Sequence, residues 1–279
     1  MTAGRRIPNV LTIAGVDPSG GAGILADVKT MSALGAYGCA VVAALTAQNT
    51  QGVADVAPVP PAFVARQIDT LFADVRIDAV KTGMLGQQPV IAAVAERLDR
   101  WQPAHFVLDP VMVASSGDLL LEHGAVGTLR EALLPLATVI TPNLPEAGVL
   151  LDERPVETVK EMRRVAERLR DKMAYSGQRW VLLKGGHLPG GEAALDLLHD
   201  GDRMIELAAH RIDTKNTHGT GCTLSAALTA LLPQIDDVPE AARRAKAYLT
   251  EALRHADRLD IGQGHGPVHH FHAFDRTES

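Results

Sequence analysis

Asn216-Thr217-His218-Gly219-Thr220-Gly221-Cys222-Thr223 runs straight into Leu224-Ser225-Ala226-Ala227-Leu228-Thr229-Ala230-Leu231-Leu232 and stops at Pro233. The second half is a run of good helix formers, and the first is a turn whose glycines reach backbone angles that other residues resist. A glycine turn that opens a helix leaves the first N–H groups unpaired at the positive end of the helix dipole. Phosphate or a developing anion binds at such a place. Cys222, one of two cysteines in the chain, lies inside the turn, and a helix N-terminus is expected to lower its thiol pKa. An anion cradle holding an ionisable side chain suits phosphoryl transfer to an alcohol. Read alone, the same residues also make an ordinary helix cap around a small apolar cysteine.

The flanking sequence decides the setting. Short apolar runs at residues 10–14, 38–44, 79–81, 106–109, 138–141 and 180–184 alternate with helical patterns. Ile24, Leu25, Val28, Met31 and Leu34 share one helical face, as do Val159, Met162, Val165, Leu169 and Met173. Residues 63–72 and 90–98 behave likewise. Strands separated by helices imply βαβ units, hence an α/β fold with a mostly parallel sheet covered by helices on both faces. Runs at 194–199 and 204–208 flank Asp200-Gly201-Asp202, which predicts an antiparallel hairpin at one sheet edge. Helices over 220–232 and 238–258 finish the fold. No repeat or linker divides the chain, so residues 1–279 read as one domain.

Composition removes whole classes of function. The 279 residues are 46% hydrophobic, ample for one large core, and carry a net charge of −6 with 4% aromatics. No basic footprint or stacking platform for nucleic acid exists. No apolar stretch approaches a membrane span, and two cysteines make no disulfide framework. A soluble cytoplasmic protein is expected.

The loops richest in Gly, Pro and polar residues follow strand candidates, where ligands lie in an open parallel sheet. Gly21-Ala22-Gly23-Ile24-Leu25-Ala26 formally matches a dinucleotide fingerprint. The second strand ends in Gln48-Asn49 with no ribose-binding carboxylate, so a close backbone approach to a small substrate fits better. Nor is there a P-loop. Asp27, one turn into the first helix, reads either as an acceptor for a ligand amine or as an ordinary acid favoured by the dipole. Gln48 can donate and accept toward a heterocycle edge, or simply belong to a polar turn. Met84 is a pocket wall or a core methionine. Asp109 ends a strand and should point into the crevice. Glu146, at a helix start after Asn143, could hold Mg²⁺ through water or serve as a first-turn acid. Lys184, followed by two glycines, suits a point charge on phosphate, or a solvated loop. His265, His269, His270 and His272 match no zinc spacing and are expected to form a folded tail beside the crevice.

Several stretches together carry a strong resemblance. They are Ile13-Ala14-Gly15-Val16-Asp17-Pro18-Ser19-Gly20-Gly21-Ala22-Gly23, Thr46-Ala47-Gln48-Asn49, Asp109-Pro110-Val111-Met112, Thr141-Pro142-Asn143-Leu144-Pro145-Glu146, Lys184-Gly185-Gly186-His187, Thr217-His218-Gly219-Thr220-Gly221-Cys222 and Gly266-Pro267-Val268-His269-His270. The chain resembles hydroxymethylpyrimidine/phosphomethylpyrimidine kinases of thiamine biosynthesis, within the ribokinase-like fold, over nearly its whole length. The resemblance implies that ATP, with Mg²⁺, phosphorylates 4-amino-5-hydroxymethyl-2-methylpyrimidine to its monophosphate and then to the diphosphate. It sets the pyrimidine against Ala22, Asp27, Gln48, Met84 and Val111. It gives Gly219, Thr220, Gly221 and Cys222 to catalysis, Lys184, Asp109, Asn143 and Thr217 to the ATP phosphates, and Glu146 to the metal. Related sugar kinases carry Asp where this chain has Cys222, read as the base for the substrate hydroxyl. The resemblance also implies a homodimer. Ser115 stands where the family often has Lys. A pyridoxal kinase sharing the Gly-Thr-Gly-Cys turn and a catalytically silent pyrimidine binder are the alternatives.

Overall fold

The structure, a computed structural model, describes residues 6–274 apart from 114–116, 118–119, 123, 155, 175–176, 187, 189–192 and 236. Ser115 and His187 therefore lie outside the described residues. In chain order the main elements are β1 (Asn9–Val16), α1 (Gly23–Ala33), β2 (Tyr37–Asn49), β3 (Gly52–Pro58), α2 (Pro61–Asp74), β4 (Ala79–Thr82), α3 (Gln88–Trp101) and β5 (Phe106–Leu108). There follow α4 (Ala125–Thr128), β6 (Val139–Ile140), α5 (Leu144–Leu151), α6 (Val159–Lys172), β7 (Trp180–Lys184), β8 (Ala193–His199), β9 (Met204–His210), α7 (Thr220–Leu231) and α8 (Val238–Arg254).

One nine-stranded sheet, ordered β3-β2-β1-β4-β5-β6-β7-β8-β9, runs through the molecule. The six strands from β2 to β7 are parallel, because each crosses over through a helix. The expected hairpin is β8–β9, antiparallel to β7. The opposite edge is antiparallel as well: β2 turns at Thr50-Gln51 into β3, which the sequence reading left unassigned.

Alternation along the strands sorts the side chains between two cores. Leu11, Ile13, Val80, Phe106, Leu108, Ile140, Val181 and Leu183 pack with α2, α3, α5 and α6. Val107, Val139, Trp180 and Leu182 pack with α7 and α8 on the other face, where Val10 and Met31 also meet α7. Thr12 and Lys81 lie opposite each other in the β1–β4 register, one residue from Leu11 and Val80, and so point toward the α1–α7 face. Residues 125–136 form α4 and then a π turn and a 3-10 turn that carry Leu133 and Leu134 into the first core. No helix among the described residues is long and apolar enough to cross a membrane.

Candidate active site

The carboxyl ends of the parallel strands open on one cleft of about 690 Å³. Its walls include Ala22, Gln48, Met84, Asp109, Val111, Asn143, Glu146, Lys184, Thr217, Gly219, Thr220, Gly221 and Cys222. Of the residues assigned from the resemblance, only Asp27 is missing from that wall.

The N-terminus of α7 forms one end. Gly219 caps the helix at φ 76°, a left-handed conformation that glycine adopts without strain, and no side chain caps it. A Cβ at Gly219 would sit 1.8 Å from the Gly21 carbonyl oxygen, so the turn and the first glycine loop interlock backbone to backbone. The intrahelical ladder begins at Thr223 N–H, which donates to the Gly219 carbonyl at 2.8 Å. The N–H groups of Gly221 and Cys222 precede it and remain available to an anion.

Opposite this turn lies a buried charge cluster. Lys184 Nζ is 3.2 Å from Asp109 Oδ1 and 3.9 Å from Glu146 Oε2, and a Cβ on Gly221 would come within 3.2 Å of it. Asp109 also accepts from Thr141 and Ser225 hydroxyls at 3.1 and 2.9 Å. Burial alone would raise its carboxyl pKa, but Lys184, Lys81 and Ser225 hold it below the ordinary value. Burial would likewise strip Lys184 of its proton, and Asp109 and Glu146 keep it charged. Glu146 differs: burial, with Asp109 beside it, pushes its pKa up to about 7 despite Lys184. Its Oε2 accepts from Asn143 N–H while Asn143 Oδ1 accepts from Glu146 N–H, both at 2.8 Å, a reciprocal cap of α5. Both carboxylates already accept hydrogen bonds, and Glu146 lies farther from the Lys184 ammonium than Asp109 does. Among the described residues no three His, Cys, Asp or Glu side chains converge as a metal cage. One carboxylate with waters and phosphates is an arrangement Mg²⁺ accepts.

Cys222 corrects one expectation. Burial pushes its thiol up to about 11; Lys81 and the Gly23 N–H favour the thiolate, while Asp27 and Asp109 oppose it. Desolvation and two carboxylates outweigh Lys81 and the Gly23 N–H, so the thiol form is favoured.

Elsewhere in the cleft wall, Met84 packs over Gly15, where an added Cβ would meet its methyl at 2.6 Å. Gln48 lies 3.1 Å from the Thr46 hydroxyl, which also bonds the Val16 carbonyl. Asp27 does not reach this wall. It is fully enclosed, with Oδ1 2.5 Å from Lys81 Nζ and Oδ2 2.6 Å from Thr12 Oγ1. Neither an amine acceptor at the helix mouth nor an exposed first-turn acid describes it. A lysine buried one strand away takes the carboxylate instead.

Three contacts that shape the cleft were not legible in the sequence. Asp17 holds the glycine loop by accepting from Ser19 N–H and Ala22 N–H at 2.9 Å, and its Oδ2 lies 2.7 Å from His218 Nε2. Lys29 ties down the Gly20 carbonyl at 2.9 Å. At the far end Lys246, on α8, bonds Asp196 at 2.6 Å and the Ala194 carbonyl at 2.9 Å, and Asp196 receives Gly185 N–H. The hairpin and α8 thus wall the cleft beside Lys184, together with Ala209, Ile212 and Leu253. The histidine tail packs beside the site as expected. His218 N–H donates to the Gly266 carbonyl, and His270 Nε2 meets the Thr223 hydroxyl at 3.2 Å.

The comparisons agree with this geometry. Residues 17–269 match the family model described as phosphomethylpyrimidine kinase. The chain is 55% identical to the hydroxymethylpyrimidine/phosphomethylpyrimidine kinase of Escherichia coli K12 over 95% of its own length and 98% of that protein's. Among solved structures it is similar to an ADP complex of Bacillus subtilis pyridoxal kinase, with TM-score 0.87 and 36% identity over 96% of this chain and 99% of that one. It is also similar to phosphomethylpyrimidine kinase from Clostridium difficile, with TM-score 0.77 and 39% identity over 88% of this chain and 99% of that one. With an α/β sheet, a helix N-terminus that no side chain caps and matches on this scale, the chain belongs to the phosphomethylpyrimidine kinase family, an ATP-dependent phosphotransferase of the ribokinase-like fold.

Proposed function

We propose that one cleft phosphorylates the hydroxymethyl group of 4-amino-5-hydroxymethyl-2-methylpyrimidine and then phosphorylates the product again to the diphosphate. The observation that carries the reading is the open N-terminus of α7, with Cys222 inside it and Lys184 facing it. The heterocycle lies against Ala22, Gln48, Met84 and Val111, with its hydroxymethyl carbon toward the turn. The N–H groups of Gly221 and Cys222 and the Lys184 ammonium draw charge from the transferring phosphoryl group. Thr217, Thr220 and Asn143 line the path of the ATP phosphates, and Asp109 keeps Lys184 charged and in place. Glu146 would hold Mg²⁺, which neutralises phosphate charge when bound.

The two transfers make different demands. An alcohol must lose its proton: the Cys222 thiol, the favoured form at rest, first releases its own proton to solvent, and the resulting thiolate then takes the substrate's and returns to the thiol. The second acceptor is a phosphate oxygen, already anionic, that needs no base. We extend the proposal to a homodimer, supported by the exposed apolar Leu45 and Val56 beside the β2–β3 edge; sedimentation at two concentrations tests it.

The central test incubates the protein with ATP, Mg²⁺ and hydroxymethylpyrimidine, with pyridoxal in a parallel tube, and follows products by mass spectrometry. Monophosphate followed by diphosphate is expected. Pyridoxal phosphate alone would transfer the protein to the other vitamin kinases it resembles, and no product in either tube would leave a pyrimidine binder.

A further inference from the structure

Lys81 and Asp27 are a buried charged pair that the reaction itself never touches. Both side chains are fully enclosed, and the ammonium and carboxylate lie 2.5 Å apart. Two hydrophobic residues of similar volume would fill the space at no loss of stability in many proteins, so a buried pair is weak evidence of a stabilising role. Its position is informative. Lys81 comes from β4 and Thr12 from β1, in register, under the α1–α7 face. Asp27 is one turn along α1 from Gly23, whose N–H is directed at the Cys222 sulfur. Lys81 Nζ is 3.6 Å from the point where a Cβ on Gly83 would stand, and Gly83 and Ala14 form cleft wall above it. The pair therefore lies beneath the cleft wall at Ala14 and Gly83, against the helix whose Gly23 N–H meets the Cys222 sulfur.

We infer that Lys81 and Asp27 are positioning residues for Cys222: the ammonium is a fixed counter-charge beneath the thiol, and the carboxylate holds that ammonium in place and tempers it. Four charged groups act on the sulfur: Lys81 from β4, Asp27 from α1, Asp109 at the end of β5 and Lys184 at the end of β7. Lys184 and Asp109 are committed to phosphate and to each other. Lys81 has no other task, and Asp27 with its neighbours keeps it protonated despite complete burial. Cys222 can take the substrate proton only as a thiolate, after its own proton has left to solvent; the negative charge stands on sulfur before the transfer, is neutralised by the substrate proton, and has in Lys81 a cation already in place to stabilise it. The second transfer needs no thiolate, so the pair should matter mainly to the first. The inference rests on the reading of Cys222 as the base, but the charge coupling itself can be measured without turnover.

The experiment is the initial rate of iodoacetamide alkylation between pH 7 and 9.5, read peptide by peptide so that Cys222 is separated from Cys39. Asp27→Asn leaves the ammonium unopposed and is expected to label faster than wild type. Lys81→Met should label more slowly, by roughly tenfold for each unit its thiol rises. The variant Lys81→Met/Asp27→Leu, which leaves neither charge unpaired, guards against misfolding and should also label more slowly than wild type. In turnover, Lys81→Met should lower the first phosphorylation more than the second and move the first step's pH profile upward. Identical labelling in all variants, with unchanged circular dichroism, would overturn the inference. Loss of both steps alike in Cys222→Ala would instead remove Cys222 as the base and leave the labelling order intact.

Discussion

α5 and α7 aim their N-termini at the same cleft and finish them in opposite ways. At α5, Asn143 and Glu146 satisfy each other's backbone N–H groups, and the helix end is closed. At α7, Gly219 has no side chain to offer, and the first-turn donors stay open. A cap side chain contributes about 1 kcal/mol. On the proposed reading, withholding it where phosphate docks converts a small loss of stability into a binding site. The closed end instead fixes a carboxylate beside Lys184 and sets its proton affinity.

Closing the open end should break the contrast most severely. Gly219→Ala forces a side chain into a left-handed position and against the Gly21 carbonyl. We expect both phosphorylations to fall by at least about 10³-fold, with about 1–3 kcal/mol of stability lost to strain; near-normal turnover would mean the turn is not the anion site. Cys222→Ala leaves the donors open and removes only the thiol. The first phosphorylation should drop by about 10²-fold or more and the second by much less, measured on the separate substrates. Glu146→Gln sharpens the closed end, since glutamine preserves the reciprocal cap. Burial raises this carboxyl from an unfolded value near 4.5 to about 7. The folded state thus binds a proton more tightly, and the stability linked to it is full below pH 4.5 and lost as pH rises through 7. Without ligand, Glu146→Gln should therefore melt higher than wild type at pH 8.5, by at most about 3 kcal/mol, and alike at pH 4.5; a gain at low pH instead would reverse the sign. The smallest effect belongs to α6, whose Thr158–Glu161 cap faces solvent. Thr158→Ala should cost about 1 kcal/mol in urea unfolding and leave both rates untouched.

Periodicity carried most of the architecture into the sequence. The parallel strands are short buried apolar runs, and the hairpin announces itself at Asp200-Gly201-Asp202. β3 escaped because Gly52–Pro58 is largely exposed at an edge and has no core pattern to show. The 125–136 segment escaped because glycine and proline interrupt its helical period. The cleft wall was readable as motifs at strand ends. What lay underneath was not: Lys81 looks like the end of an ordinary strand, and its charge is hidden only once α1 covers it. Asp17 and His218 are 201 residues apart, and no local signal joins them. The thiol's proton affinity was misjudged for a related reason, because burial and two carboxylates depend on tertiary packing while the helix dipole does not.

The tail gives the molecule an order in time. Gly264 N–H reaches the Thr50 hydroxyl at 3.1 Å, Gly266 supports His218, and His218 in turn meets Asp17. The glycine loop emerges early in synthesis, yet its partners arrive more than 200 residues later. Contacts so distant in sequence close slowly. A nascent chain can lay down its parallel strands as they appear, but the anion turn acquires its final shape only after residues 264–270 have been made. The proposed catalytic turn is then completed late, and a chain stalled before that point would hold a sheet without the finished turn.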